Sequence, residues 1–391
     1  MPVRDQTILW TKIVIVLLLV GMSAGRACTV GVVSGEATAD GRPLLWKNRD
    51  SGHRDNEVRY FKGPRYEFMG VTNQGDTTQV WMGLNSAGLA IMNSESKDLP
   101  GTRYDDEGVL MKVVLGRFAT VQEVEKYLKT TNKKGRAVTS NFGVIDAHGG
   151  AGFFETGNHS FTFFDANTTA DGFLVRANFA ETGNGGGYGY YRRNRARELL
   201  QSGARKHRLT YRYLIQSVSR DIQTAAGNPY PLESTAIDTV PTRGTVNRYR
   251  TVSAAVFHGV KEGENPNFAT MWTILGEPVA GIAVPLWVAT HEPGELMHGS
   301  EGARMNQAIQ HIEGRVYTDT ADPTAINPRE VASVTTGFEA IESGFFQMTD
   351  QALQAWKRRY DYPTGMEQLQ QLIQRTAYNV LTYRSHALEA P

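Results

Sequence analysis

One cysteine, Cys28, stands in the whole chain of 391 residues, so no internal disulfide can form and the fold must rest on its apolar core. Charge of neither sign dominates. Lys and Arg number 41 against 40 Asp and Glu, with no basic block to receive a nucleic acid. The 9 histidines are scattered without paired ligand spacing, which argues against a metal centre, and no cofactor is expected. Gly183 to Gly189 lacks both the Lys-Ser/Thr pair of a phosphate loop and dinucleotide spacing, so it reads as a loop beside a cleft. Repeats and low-complexity linkers are missing too. The apolar run over residues 13–20 falls short of the about 20 residues that span a bilayer.

That short run is the first informative feature present. Arg4 and Lys12 precede it and Gly21-Met22-Ser23-Ala24 closes it, the pattern of a secretory signal peptide. Gly25 and Ala27 fit the small-residue subsites, which places the cut between Ala27 and Cys28. Residues 1–27 are thus expected to be a leader, signal peptidase the maturation partner, and the periplasm or exterior the destination. A lipid-anchored cysteine is the other outcome, although a lipoprotein signal wants an apolar residue where this chain has Gly25.

Along the chain, residues 28–33 and 43–46 read as a β-hairpin turning at Asp40-Gly41, which returns Lys47-Asn48-Arg49-Asp50 beside Cys28. An extended region is expected over 60–69, and a second hairpin pairs 79–85 with 88–93 around Ser86-Ala87. Val109, Leu110, Val113, Val114 and Phe118 recur at helical spacing, and Thr120 with Glu123 forms a capping box opening a helix through Leu128. Strands follow at 141–146, 152–155, 161–164 and 173–178, and helices at 192–200 and 211–218. A proline-bearing loop over 228–245 leads to strands at 252–257, 271–275 and 282–288. The remainder from Glu295 is helical by pattern. Strand blocks separated by paired helices favour an α+β layered fold, one domain over 28–391 with 295–391 as a helical extension.

Removal of the leader would leave Cys28 first, with a thiol and a free amine on one residue. A free thiol near pKa 8.5 is only a few per cent ionised at neutral pH and needs a base. The terminal amine, with a reference pKa of roughly 7.7 to 8, can take its proton. Asp50 on the adjoining strand is the carboxylate placed to orient that amine. Attack on an amide makes an oxyanion, for which Asn178 and Asn93 at strand ends offer neutral N–H donors, and Arg248 is a candidate to hold anions in register.

These residues carry a family resemblance. Cys28-Thr29, Asp40-Gly41-Arg42, Asn48-Arg49-Asp50, the run Gly83-Leu84-Asn85-Ser86-Ala87-Gly88-Leu89, Asn178 and Asn247-Arg248-Tyr249 follow one another as in the choloylglycine hydrolase and penicillin V acylase group of N-terminal nucleophile hydrolases. Residues 141–155, with Ile145-Asp146-Ala147 and Phe154-Glu155, also resemble the related isopenicillin N acyltransferase family. The resemblance implies an αββα sandwich of two antiparallel sheets, with Cys28 as nucleophile and its own amine as base. It implies further that Asp50 meets that amine, that Asn178 serves the oxyanion hole, that Asn93 serves the oxyanion or the substrate, and that Arg248 lies near the nucleophile. Lys47 departs from the arginine the family often has there and lacks its planar fork.

The expected activity is hydrolysis of a linear, non-peptide acyl amide through a Cys28 thioester. Acyl transfer to an amine shares that intermediate, and a binding protein anchored through Cys28 is the reading from another class. A small-molecule acyl amide is the expected partner, and a homo-oligomer stays open. Trp81, Met82, Phe179 and Tyr188 would suit an apolar acyl pocket.

Overall fold

The computed structural model describes residues 28–223 and 238–387. The expected leader, with its cleavage site, and residues 224–237 of the proline-bearing loop region lie outside the described residues.

Small and β-branched residues form β1 (Thr29–Val33), and after a turn in which Gly41 takes φ 75° the chain returns as β2 (Leu44–Asp50). Thr29 lies opposite Asn48 and Val33 opposite Leu44, the hairpin expected from sequence. Where one extended region was expected over 60–69, β3 (Asn56–Lys62) and β4 (Glu67–Asn73) pair instead. Gly63-Pro64 supplies the break, and the Gly63 N–H donates to the Tyr66 carbonyl at 3.1 Å. The strands β5 (Met82–Asn85), β6 (Ala90–Glu95), β7 (Ser140–Ile145), β8 (Ala151–Thr156) and β9 (Phe161–Asp165) complete a seven-stranded antiparallel sheet in sequential order.

The second sheet has six strands. β10 (Phe173–Arg176) flanks β1, while β12 (Thr251–His258), β13 (Thr270–Ile274) and β14 (Val284–Leu286) continue from β2 in the order β10-β1-β2-β12-β13-β14. A small ribbon of β11 (Val240–Pro241) and β15 (Ala325–Ile326) stands apart.

Two helices cover the seven-stranded sheet. Leu110 and Val114 of α1 (Glu107–Arg117) and Val124 and Leu128 of α2 (Val121–Lys134) pack on Ile91, Phe142, Val144 and Phe154. Thr120 caps α2 by accepting from the Glu123 N–H at 3.1 Å, and Glu123 reaches back to the Ala119 N–H at 2.6 Å. The helix runs past Leu128 to Gly135, whose φ of 77° stops it.

The six-stranded sheet is covered on its outer face by α3 (Tyr190–Arg205), the single turn α4 (Tyr211–Tyr213) with its π-helical continuation Leu214–Val218, α5 (Arg304–Val316), α6 (Pro328–Trp356) and α7 (Tyr362–Ala387). Leu200, Ile309, Phe346 and Ile373 from these helices enter one apolar cluster with Trp272 and Trp287. Between the sheets, Val30, Val32 and Leu45 meet Met92, Ile145 and Phe153, so that the layers run αββα. Each such fully buried side chain is worth about 1.5–3 kcal/mol. Alternation along β1 and β2 therefore divides their polar ends into an inner set between the sheets and an outer set under the helices.

Candidate active site

Cys28 leads into β1, free and 4% exposed, and packs in the same cluster as Val30 and Val32. Strand alternation carries its thiol to the inner side and Thr29 to the outer side. There α3 delivers Arg192. Its Nη1 donates to the Cys28 carbonyl and to Thr29 Oγ1, both at 2.9 Å, and its Nη2 donates to Asn178 Oδ1 at 2.9 Å. The same guanidinium lies 4.0 Å from Asp50 Oδ2. Burial lowers the Arg192 pKa from the usual arginine value, against the pull of Asp50.

A glycine makes this reach feasible. Gly189 precedes α3 at φ 92°, and a Cβ there would come within 2.5 Å of Arg192 Nη2 and 3.0 Å of the Ala177 Cβ. At least this member of the 183–189 stretch is therefore present to let the arginine pass close to backbone.

Asp50 belongs to the outer set with Thr29. The register that places Thr29 opposite Asn48 carries Asp50 two residues beyond, toward the amino side of Cys28 and away from its thiol. Thr251 Oγ1 donates to Asp50 Oδ1 at 2.8 Å, and Arg248 Nη1 lies 3.4 Å from Oδ2. Burial raises the Asp50 carboxyl above the usual carboxylate range, opposed by Arg248, Arg192 and the Thr251 hydrogen bond. Arg248 is set by its neighbours: its N–H donates to Thr251 Oγ1 at 3.1 Å, and Asn247 anchors the turn through Glu277 Oε1 at 2.5 Å.

Asn178 follows β10 and is buried. Since Arg192 takes its oxygen, the carboxamide nitrogen faces the other way and donates to the Glu95 carbonyl at 2.9 Å. The loop that carries it is held by three side chains. Asn141 Nδ2 donates to the carbonyls of Ala177 at 3.2 Å and Phe179 at 3.0 Å. Glu155 accepts from the N–H groups of Glu181 and Thr182, both at 2.9 Å, and Asp98 accepts from the Ala180 N–H at 3.2 Å. The Asn141 and Glu155 positions of the family resemblance are thus braces of this loop.

Asn93 on β6 is tied to a different group. Its Oδ1 accepts from Lys47 Nζ at 2.7 Å and its Nδ2 donates to Ser140 Oγ at 3.1 Å. Lys47, fully buried on β2, also donates to the Trp81 carbonyl at 2.9 Å, so one lysine joins the two sheets. Lys47 and Arg49 form the inner set of β2, on the thiol side of Cys28. Arg49 donates to Asn56 Oδ1 at 2.5 Å and Asn73 Oδ1 at 2.7 Å, and its guanidinium lies over the Trp81 ring at 4.9 Å.

Of the four apolar-pocket candidates, Met82 is fully buried core and Phe179 is buried beneath Tyr190, with ring centroids 4.0 Å apart. Tyr188 alone lines an open cleft beside Arg192 and Arg248. A backbone bridge ties it to Asn178. Burial pushes the Tyr188 hydroxyl up to about 12, with further contributions from Glu95 and Cys28.

Cys28, Asp50, Asn178 and Arg248 therefore form one connected group, and Arg192 is its hub. Sequence reasoning passes over Arg192 because it stands among Arg193, Arg195 and Arg197 at the start of a polar helix. The only signal pointing to it is the glycine run immediately before. Among the described residues no cluster of three or more metal-binding side chains occurs, and no helix is long and apolar enough to cross a membrane.

No family model and no curated protein matches this chain. Solved structures do. The chain is structurally similar to choloylglycine hydrolases and their relatives at low sequence identity. Conjugated bile acid hydrolase from Clostridium perfringens aligns at 13% identity over 66% of this chain and 92% of its own, with a TM-score of 0.43. An N-acylethanolamine-hydrolyzing acid amidase ortholog of Caenorhabditis elegans aligns at 17% identity over 59% of this chain and 92% of its own, with a TM-score of 0.41. Penicillin V acylase from Agrobacterium tumefaciens gives 14% identity, 66% and 85% coverage, and a TM-score of 0.35.

Proposed function

We propose that this protein is an exported cysteine amidohydrolase that cleaves a linear, non-peptide acyl amide. The observation that carries the reading is the division of Cys28 between two faces, with its thiol on the inner side and Asp50 fixed toward its amino side. Once the leader is removed, the Cys28 amine takes the thiol proton. The thiolate sulfur then bonds to the amide carbonyl carbon, and the Asn178 side-chain N–H not directed at the Glu95 carbonyl donates to the oxyanion that forms. Cleavage of the carbon–nitrogen bond sends the proton to the departing amine and leaves a thioester. Water attacks the thioester, releasing the acid and restoring the thiol. Asp50, held by Thr251 and Arg248, stabilises and orients the amine.

The thioester is equally open to an amine acceptor, so acyl transfer is the neighbouring reaction. Burial of Cys28 in the apolar cluster argues against a lipid attachment point, which has to stay accessible. Two measurements test the reading. Mass spectrometry of the secreted protein should find Cys28 first, and a panel of acyl amides should release amine with wild type and not with Cys28→Ala. Full activity in a protein that keeps residues 1–27 would overturn it, because the amine base would not exist.

A further inference from the structure

The turn that holds Asp50 stands on a buried carboxyl that no step above employs. Thr251 Oγ1 accepts from the Arg248 N–H at 3.1 Å and donates to Asp50 Oδ1 at 2.8 Å, while the Thr251 N–H donates to the Arg248 carbonyl at 2.7 Å. Asn247 begins this turn, and its carboxamide is gripped at both ends. Its Nδ2 donates to Glu277 Oε1 at 2.5 Å, and its Oδ1 accepts from the Val279 N–H at 3.3 Å.

The segment from Glu277 to Gly281 is itself bolted down. Arg220, paired with Glu342 of α6 through both Nη atoms at 2.9 and 2.7 Å, donates to the carbonyls of Pro278 and Gly281, each at 2.9 Å. From α5, Glu313 Oε1 accepts from the Glu277 N–H at 2.9 Å, and the Tyr317 hydroxyl donates to Glu277 Oε1 at 2.6 Å. Two helices therefore fix Glu277, and Glu277 fixes Asn247.

The surroundings set the charge of this carboxyl. Its Oε2 is buried without a hydrogen-bond partner. The charged groups that face it are Glu313 on α5, Asp50 on β2, and Arg54 between β2 and β3, and Arg54 is paired with Glu313. Burial raises the Glu277 carboxyl to about 8, so at neutral pH it is a protonated acid. A neutral acceptor here adds no second negative charge beside Asp50. Unpaired buried oxygens are rare, and such departures from local satisfaction collect at functional sites.

We propose that Glu277 is a positioning residue of the active site, which fixes the 247–251 turn through Asn247 and thereby holds Asp50 toward the Cys28 amine without placing a second charge beside it. It acts through Asp50 and touches neither nucleophile nor substrate. Its effect on turnover rests on the amidohydrolase reading, whereas its effect on the Cys28 thiol requires only that Cys28 be the first residue.

The test follows alkylation of Cys28 by iodoacetamide across pH in the mature protein, alongside steady-state kinetics with the best acyl amide of the panel. Asp50 stabilises the ammonium that forms when the amine takes the thiol proton, so a displaced Asp50 makes the thiolate harder to form. Glu277→Ala should raise the midpoint of the alkylation profile by about 0.5 pH unit or more and lower kcat about fivefold or more, with KM within about twofold. Glu277→Gln keeps an uncharged acceptor and should return kcat to within about twofold and the midpoint to within about 0.2 unit of wild type. In the Asp50→Asn background, Glu277→Ala should shift the midpoint no further. Should Glu277→Ala fail to fold, Asn247→Ser cuts the same link from its other end and should give the same shift. A folded variant of either kind with the wild-type profile and kcat would overturn the role. So would a Glu277→Gln protein as impaired as Glu277→Ala, or a shift of equal size in the Asp50→Asn background. An Asp50-dependent shift with no Cys28-dependent amine release would instead overturn the amidohydrolase reading and leave Glu277 in its place.

Discussion

Arg192 binds the carbonyl of Cys28 and the carboxamide oxygen of Asn178 through separate nitrogens of one guanidinium, each at 2.9 Å. The backbone of the proposed nucleophile and the amide of the proposed oxyanion donor are thereby held at a fixed separation. A planar fork does this and a point charge does not.

Arg192→Lys should therefore keep the protein folded and lower kcat by about tenfold or more with a smaller change in KM, since one ammonium cannot hold both partners. Arg192→Ala should also lower stability by about 1–3 kcal/mol, because the buried Cys28 carbonyl and Asn178 Oδ1 lose their donor. Steady-state kinetics and urea unfolding separate the two effects. An Arg192→Lys enzyme with unchanged kcat would remove the arginine from the positioning role.

Asn178→Ala should cost about 10²–10³ in kcat, the usual loss for one oxyanion donor, with KM little altered. Asn178→Asp should do no better, because it brings a carboxylate oxygen to face the Glu95 carbonyl where an N–H now donates at 2.9 Å. Equal kcat in wild type and Asn178→Ala would show that the oxyanion is held elsewhere.

Lys47→Met keeps the aliphatic length and removes the donor that the Trp81 carbonyl and Asn93 Oδ1 share. Taking one partner from buried polar groups costs about 1–3 kcal/mol, so the urea midpoint should fall accordingly. An unshifted midpoint would mean that this link between the sheets contributes nothing to stability.

Glu277 offers a test by pH. It is fully buried beside Asn247 and Tyr317, its N–H donates to Glu313, and burial raises its carboxyl to about 8 despite those hydrogen bonds. A folded pKa above the unfolded value of 4.5 favours the protonated native state. Its stabilising contribution is then complete below about 4.5 and is lost as pH rises through about 8. Melting temperatures across that window should decline more steeply for wild type than for Glu277→Gln. Parallel curves would show that Glu277 does not titrate there.

Much of the local architecture is legible in the sequence. The β1–β2 hairpin followed from Asp40-Gly41 between apolar runs, and the α2 cap from Thr120 and Glu123, because both are decided by neighbours within a few residues. The hairpin across Gly63-Pro64 is hard to read from sequence despite its turn pair, since the flanking strands are partly exposed and weakly patterned. Asn141 and Glu155 were legible as part of a resemblance, but their work as loop braces was not. That work depends on carbonyl and N–H groups of residues 177–182, which only the packed sheets bring near.

By itself the sequence determined that one thiol would stand at the head of the first described strand and that a hairpin would return Asp50 to its side. The tertiary structure alone decided which arginines matter. Arg192 is separated from Cys28 by 164 residues and resembles its helix neighbours in every sequence property. Its role follows from the long reach of a guanidinium and from the absence of a side chain at Gly189, and neither periodicity nor propensity encodes where such a reach will end.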